Sequence, residues 1–322
     1  MLKQAYVVGN LNVDLVMGNF DGWPEVGSEV TGDFFDFRYA GAAGNSALAL
    51  RKLGFETHVI SALGDDEFGK NFVRTFEKKG IDLSRCKIGI GRTSVSVGIS
   101  TQDERTFFTF LGSLSDLDND FFFKKVKDIH RSWILICGFN LISAFREERF
   151  AEIVKLMKLN ENEILFDPGW PPNGWTEKTT KQALQIAKLS DWFTPNLKEA
   201  LAISKKSSLK DSLIFFKDHD IHNCIVKLGE NGAQGFIGDD VILTPAFHFG
   251  KIKDTVGAGD MFNAALLKGL SLRWEKTKVA EFASFYASLG ITRIGENRYP
   301  AFDEAYRRFL KKRKASENKW NV

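Results

Sequence analysis

Asp254-Thr255-Val256-Gly257-Ala258-Gly259-Asp260 is the stretch on which the reading of this chain turns, and it runs directly into an apolar helical pattern from Met261 to Leu270. Three small residues, Gly257 to Gly259, bring uncovered backbone N–H groups to a helix start. Unpaired amides and the positive end of the macrodipole favour an anion there. Asp260 stands at the lip of that anion site, where its carboxylate would repel a resting phosphate. A carboxylate in that place makes chemical sense if it takes a proton from a hydroxyl that attacks the phosphate. The plainer alternative is a glycine-rich turn in which Asp260 only caps the helix.

Other turns share this character. Ala40-Gly41-Ala42-Ala43-Gly44-Asn45 breaks strand character running from Ser28 to Tyr39 and opens a helical pattern through Leu48, Leu50 and Leu53 to a stop at Gly54. Asn45 at its mouth is either a ligand or part of a packing turn. At the N-terminus Ala5 to Gly9 reads as a buried strand and Gly9-Asn10-Leu11-Asn12-Val13-Asp14 as the polar turn leaving it. Amide and carboxylate groups at the carboxyl end of a parallel strand are well placed for hydroxyls, although an Asx-type turn without a ligand is the alternative. Gly64-Asp65-Asp66-Glu67-Phe68-Gly69-Lys70-Asn71 has the glycine and lysine spacing of a phosphate loop. It ends in Asn71 rather than Ser or Thr, and its acids would repel a triphosphate, so its carboxylates are expected to cap the following helix.

Two short strand patterns from Thr93 to Phe110 flank the turn Gln102-Asp103-Glu104-Arg105, and Phe107, Phe108 and Phe110 are expected either to cover a site or to pack against sheet or chain. Strands are expected at Trp133 to Cys137, Glu163 to Phe166, Trp192 to Thr194 and Asn223 to Val226, with helices between them. That alternation predicts an α/β fold with a mainly parallel central sheet covered by helices on both faces. Phe166-Asp167-Pro168-Gly169 ends one strand, and Lys227-Leu228-Gly229-Glu230-Asn231-Gly232 forms a further glycine turn able to carry phosphates. Asn196 and Glu199 sit three apart at a helix start, which suits a hydrated Mg²⁺ and equally suits a capping box.

Composition sets the frame. A chain of 322 residues with 43% hydrophobic and 26% charged residues can bury a substantial core. A net charge of +3 gives no argument for a nucleic-acid partner. The basic run Lys311 to Lys314 reads as the solvated end of a last helix or a docking tail. Cys86, Cys137 and Cys224 lack paired or metal-ligand spacing, the five histidines (His219 and His222 in an expected exposed loop) show no metal cluster, and a strand pattern rather than a signal peptide opens the chain. The longest apolar run, Trp133 to Cys137, is too short to span a bilayer, so a cytoplasmic location without membrane contact is expected. No internal repeat or linker divides the chain. One domain over residues 1–314 is expected, with 315–322 as a flexible tail.

Taken together, the turns resemble those of the ribokinase-like (phosphofructokinase B) carbohydrate kinases. Ala40 to Gly64 and Asp254 to Leu267 resemble that family's two signature segments. Gly9-x-x-Asn12-x-Asp14, Gly64-Asp65-Asp66-x-x-Gly69, Asn196-x-x-Glu199 and Lys227-Leu228-Gly229-x-x-Gly232 occur with them in the family's order. The resemblance runs from the first strand to about Phe302.

It implies an ATP-dependent kinase acting on a primary hydroxyl of a small sugar. Asp260 would be the general base, and the amides of Gly257, Ala258 and Gly259 the hole for the transferring phosphoryl group. Asn12, Asp14, Gly41 and Asn45 would hold the sugar. Asn196 and Glu199 would organise Mg²⁺ and its waters, while Lys227, Gly229, Gly232 and Ser284 would lie along the nucleotide. Asp254, Val256, Gly290 and Gly295 match a loop pair that holds K⁺ in related kinases. Residues 15–38 and 90–112 resemble lid strands that often form a homodimer interface. The chain departs from the family at Ala40, at Ser284 in place of an adenine-side Asn, at Glu296 beside the cation loop, and at Asp167-Pro168-Gly169-Trp170, which lacks an Asn-x-Arg. The acceptor is therefore open between a ketohexose, a pentose and a nucleoside. A catalytically silent binding regulator on the same fold is the reading from a different class, and the intact base and anion-hole run speaks against it.

Overall fold

The computed structural model describes residues 2–89, 91–101 and 105–317. Its centre is a nine-stranded sheet. Strand Gln4–Val8 lies between Trp133–Ile136 on one side and Glu56–Ile60 on the other, parallel to both. Parallel pairing continues through Glu163–Phe166 and Trp192–Phe193 to Asn223–Lys227, and on the opposite flank to Ile81–Asp82. The strands read as unbroken apolar runs because both faces are covered. Ala5 and Val7 face a core shared with Leu50, Phe72, Leu266 and Phe285, whereas Tyr6 and Val8 face one shared with Phe122, Phe150, Ile186 and Phe216. The predicted α/β sheet with helices on both faces is therefore the architecture found.

One flank departs from the parallel expectation. Asn223–Lys227, Ala233–Ile237 and Asp240–Thr244 form an antiparallel meander. The Lys227–Gly232 turn is its first hairpin connection, and both Gly229 and Gly232 adopt positive φ there.

The cover is a separate four-stranded sheet in the order Phe34–Ala40, Asn12–Phe20, Val95–Thr101, Arg105–Phe110. Asn12 to Asp14 is therefore not a polar turn but the start of a lid strand, paired with Arg38 to Ala40. Strand character expected from Ser28 is confined to Phe34–Ala40, and residues 21–33 form no regular strand or helix. Of the turn Gln102-Asp103-Glu104-Arg105, the first three residues lie outside the described residues. The last helix is Phe302–Glu317, so three residues of the expected tail continue it, and 318–322 lie outside the described residues. Among the described residues no helix is long and apolar enough to cross a membrane.

Candidate active site

The carboxyl ends of the parallel strands, the lid sheet and the start of helix Ala258–Ser271 converge on one cleft. Gly257 caps that helix with φ +78°, a conformation costly for any residue bearing a Cβ. A Cβ there would also stand 3.1 Å from the Asn45 side chain. The Ala258 N–H closes the turn onto the Thr255 carbonyl at 3.1 Å. The amides of Gly257 and Gly259 are therefore the stronger candidates for an anion than that of Ala258.

Asp260 lies in the first turn of the helix. Asn45 donates to its Oδ2 at 3.0 Å, and Asn45 Oδ1 in turn accepts from the Tyr299 hydroxyl at 2.9 Å. This fixes the amide orientation and aims the carboxylate. Burial pushes the Asp260 carboxyl up to about 7, and the nearby charge of Asp167 adds to the rise. A carboxylate poised near neutrality suits a general base better than an ordinary helix cap does.

Asn12 and Asp14 share one face of their strand, two residues apart. Asn10 donates to Asn12 Oδ1 at 2.6 Å, and Asn12 donates on to Asp14 Oδ1 and to Ser96 Oγ. Asp14 is 4% exposed, and burial pushes its carboxyl up to about 7 against the lowering effect of Arg38. Gly41, at φ +83°, lets the helix start beside this relay, where a Cβ would meet the Asn10 carbonyl at 2.4 Å. Ser96 Oγ lies 2.8 Å from Thr109 Oγ1, which sets this polar row on the cleft side of the lid. By the strand register Phe107 shares that side, while Phe108 and Phe110 lie on the other.

On the opposite wall Lys227 donates to Asp167 at 2.7 Å, and its Nζ lies 3.2 Å from where a Cβ on Gly259 would stand. Asn263 also donates to Asp167. Asn196 and Glu199 form a complete capping box, with Glu199 N–H to Asn196 Oδ1 at 2.9 Å and Asn196 N–H to Glu199 Oε2 at 2.9 Å. The capping reading is thus realised, but it does not exhaust the carboxylate. Burial, and then the charge of Asp167, pushes Glu199 up to about 7. A buried Glu199 carboxylate raised by its neighbour Asp167, with one lysine beside them, forms a donor set that a hydrated divalent cation would relieve, so the residues fit Mg²⁺ held through water.

The loop pair matched to a K⁺ site is built differently. Arg298, 4% exposed, donates from Nη1 to Asp254 Oδ2 at 3.0 Å and from Nη2 to the Val256 carbonyl. The Gly290 carbonyl accepts from Arg293 N–H at 3.0 Å, while Gly295 sits at φ +56° in the turn that carries Arg298. Two of the oxygens that would hold the ion already receive a guanidinium and the Gly290 carbonyl a backbone N–H, so the residues as they stand do not fit K⁺. Ser284 is also engaged elsewhere, since its hydroxyl lies 2.9 Å from that of Thr244 and it is 5% exposed. Of the carboxylates expected to cap the helix after Gly64, Asp66 does so, accepting from Gly69 N–H at 2.8 Å. Among the described residues no group of three or more His, Cys, Asp or Glu could hold a metal ion, and the three cysteines are buried and unpaired.

Sequence reading did not single out Asp167, Tyr299, Arg38 or Arg298 as site residues. Asp167 had a usable signal, an acid at the carboxyl end of a predicted parallel strand. The others meet the cleft only through contacts distant in sequence and leave no local pattern.

Comparison with known proteins places the chain in context. The model of the pfkB family carbohydrate kinases matches residues 3–301. Ribokinase of Bacillus subtilis is 21% identical over 91% of this chain and 94% of its own length. The 5-dehydro-2-deoxygluconokinase of Clostridium perfringens is 24% identical over 87% and 86%. The structure of Arabidopsis thaliana ribokinase complexed with ribose and ATP superposes with a TM-score of 0.77 at 19% identity, covering 96% of this chain and 99% of the other, a likeness of fold.

Proposed function

The chain belongs to the pfkB family of carbohydrate kinases, and from that premise we propose that it transfers the γ-phosphoryl group of ATP to a primary hydroxyl of a small sugar. The observation that carries this is Asp260, held by Asn45 at 3.0 Å beside the Gly257 helix cap and poised near neutrality. In the step, Asp260 accepts the acceptor hydroxyl proton as the new oxygen–phosphorus bond forms and the bond from the γ-phosphorus to the β–γ bridging oxygen breaks, leaving ADP. The Gly257 and Gly259 amides stabilise the transferring group, and Lys227 stands beside them on the phosphate wall. Magnesium, when bound, supplies positive charge to the phosphate oxygens, with Asn196, Glu199 and Asp167 holding its water shell. The Asn10–Asn12–Asp14 relay, with Gly41 and Asn45, orients the sugar hydroxyls. Gly229 and Gly232 shape the hairpin along the nucleotide, and the internally bonded Ser284 lies behind it.

A nucleoside acceptor is the second reading, and Phe107 favours it. This ring is 45% exposed on the cleft side of the lid, placed to stack on a base. On the other side of the lid Phe35, Phe108 and Phe110 are 63%, 54% and 55% exposed, which supports a homodimer through that face. We place the protein in the cytoplasm, where buried thiols such as Cys137 stay reduced. ADP release measured over a panel of pentoses, ketohexoses, ketodeoxy sugar acids and nucleosides tests the proposal. One acceptor turning over far above the ATPase background is expected. Tight binding of a sugar with no ADP release would leave a regulator instead.

A further inference from the structure

We propose that the Arg298 guanidinium is a built-in replacement for the monovalent cation, so that this chain works without K⁺. Asp254 is 8% exposed, and a carboxylate so buried requires a positive partner. It has two. Arg298 Nη1 lies 3.0 Å from Oδ2, and Arg38 Nη2, from the lid strand, lies 2.6 Å from the same oxygen. The second arm of Arg298 donates to the Val256 carbonyl. A guanidinium fork is suited to bridging a carboxylate and a carbonyl at fixed spacing, which a lysine ammonium is not.

The position has a consequence for the anion hole. The Val256 carbonyl and the Gly257 N–H belong to one peptide group, so a cation at that oxygen polarises that N–H and strengthens it as a donor. A metal ion would act on the same oxygen in the same way, but its effect would depend on salt. The guanidinium is covalently held, and the turn that carries it is packed against the site. A Cβ on Gly290 would stand 2.8 Å from the Arg298 carbonyl, and the next residue, Tyr299, bonds Asn45, which bonds Asp260. Position argues the same way, because a bound K⁺ at the Asp254 and Val256 oxygens would have to displace Arg298 or lie against its charge.

The activity arm of the test rests on the phosphoryl-transfer reading; the stability arm does not. For the unaltered protein, the thermal midpoint and the rate of acceptor-dependent ADP release are measured in KCl and in tetramethylammonium chloride at equal ionic strength. Both are expected to agree, the rate within about twofold. In Arg298→Ala the rate in tetramethylammonium should fall at least about tenfold. Adding K⁺ or free guanidinium should restore part of it and raise the variant's thermal midpoint. A rise in the unaltered protein's midpoint with K⁺, or a loss of its rate without K⁺, would overturn the inference, as would an Arg298→Ala rate untouched in tetramethylammonium. If no acceptor is phosphorylated in any salt, the kinase reading fails, while the midpoints of the unaltered protein still decide on the cation.

Discussion

The heptapeptide Asp254 to Asp260 carries a carboxylate at each end, and the two are treated in opposite ways. Asp254 is enclosed by two guanidinium groups, one from the lid and one from the C-terminal turn. Asp260 receives one neutral donor, Asn45, and the charge that acts on it most is the repulsive Asp167, which Lys227 offsets only in part. One carboxylate is a fastening, and the other is left electrostatically uncompensated. Keeping a part-buried acid in that condition costs stability, which is a common feature of groups that must give and take protons. The same helix start thus holds a rigid end and a reactive end six residues apart.

Removing the reactive end should have the largest effect. Asp260→Asn is expected to lower kcat at least about 10²-fold with ATP affinity nearly unchanged, measured by steady-state kinetics and nucleotide titration. It should also stabilise the protein at pH 8. The folded-state value of about 7 exceeds the ordinary carboxyl value of 3.8, so the native state holds the proton between them and loses stability as pH rises through that window. The thermal midpoint of the variant should exceed that of the unaltered protein by about 2 °C or more at pH 8, and the gain should shrink towards pH 5.

Removing the fastening should do the reverse. Asp254→Asn leaves the buried Arg298 guanidinium without its carboxylate and takes one of two from the part-buried Arg38, and it is expected to cost about 3 kcal/mol in denaturant unfolding. Its kcat should fall less than that of Asp260→Asn. Equal losses of rate would erase the distinction between the two ends.

The phosphate wall sharpens the contrast, because Glu199 combines both roles as a cap and a charge. Glu199→Gln keeps the shape of the capping box and should raise the magnesium concentration for half-maximal rate about tenfold, with a smaller change in the acceptor KM. A magnesium titration identical to that of the unaltered protein would reduce the pair to its cap. The smallest effect is expected on the lid. Arg38 ties the strand Phe34–Ala40 to Asp254, so acceptor binding should slow hydrogen exchange in residues 34–40 and 95–110 by only about threefold. Unchanged exchange alongside proven binding would make the lid a static wall.

What was legible in the sequence follows the range of the interactions. Gly41, Gly257 and the Asn196–Glu199 cap depend on conformations and contacts within a few residues, so their pattern is local. The five-stranded parallel run from Gln4–Val8 to Asn223–Lys227 is legible for the same reason, since each strand is an apolar segment, whereas Glu56–Ile60 was not singled out as a strand. Asn12 to Asp14, the start of the lid strand Asn12–Phe20, reads as a turn because these residues alternate polar with apolar beside Gly9, a pattern shared by turns and half-buried strands. The meander after Asn223 hid behind its glycine turn. Arg298 and Arg38 reach Asp254 across 44 and 216 residues of sequence, so no spacing rule would find either. Glu296, a departure beside the cation loop, pairs with Lys79 at the surface and explains nothing about the loop itself.

The most direct test of the uncompensated carboxylate is the pH dependence of kcat/KM for the acceptor at saturating ATP and magnesium, from pH 5.5 to 9. The base must be deprotonated, so the rate should rise with pH and level off above an apparent value near 7. Asp14 and Glu199 are also pushed up to about 7, so the profile is compared across variants. The rising limb should survive in Asp14→Asn and Glu199→Gln and vanish in the residual activity of Asp260→Asn. A limb that persists unchanged in Asp260→Asn and is lost in Asp14→Asn would contradict the assignment of the base.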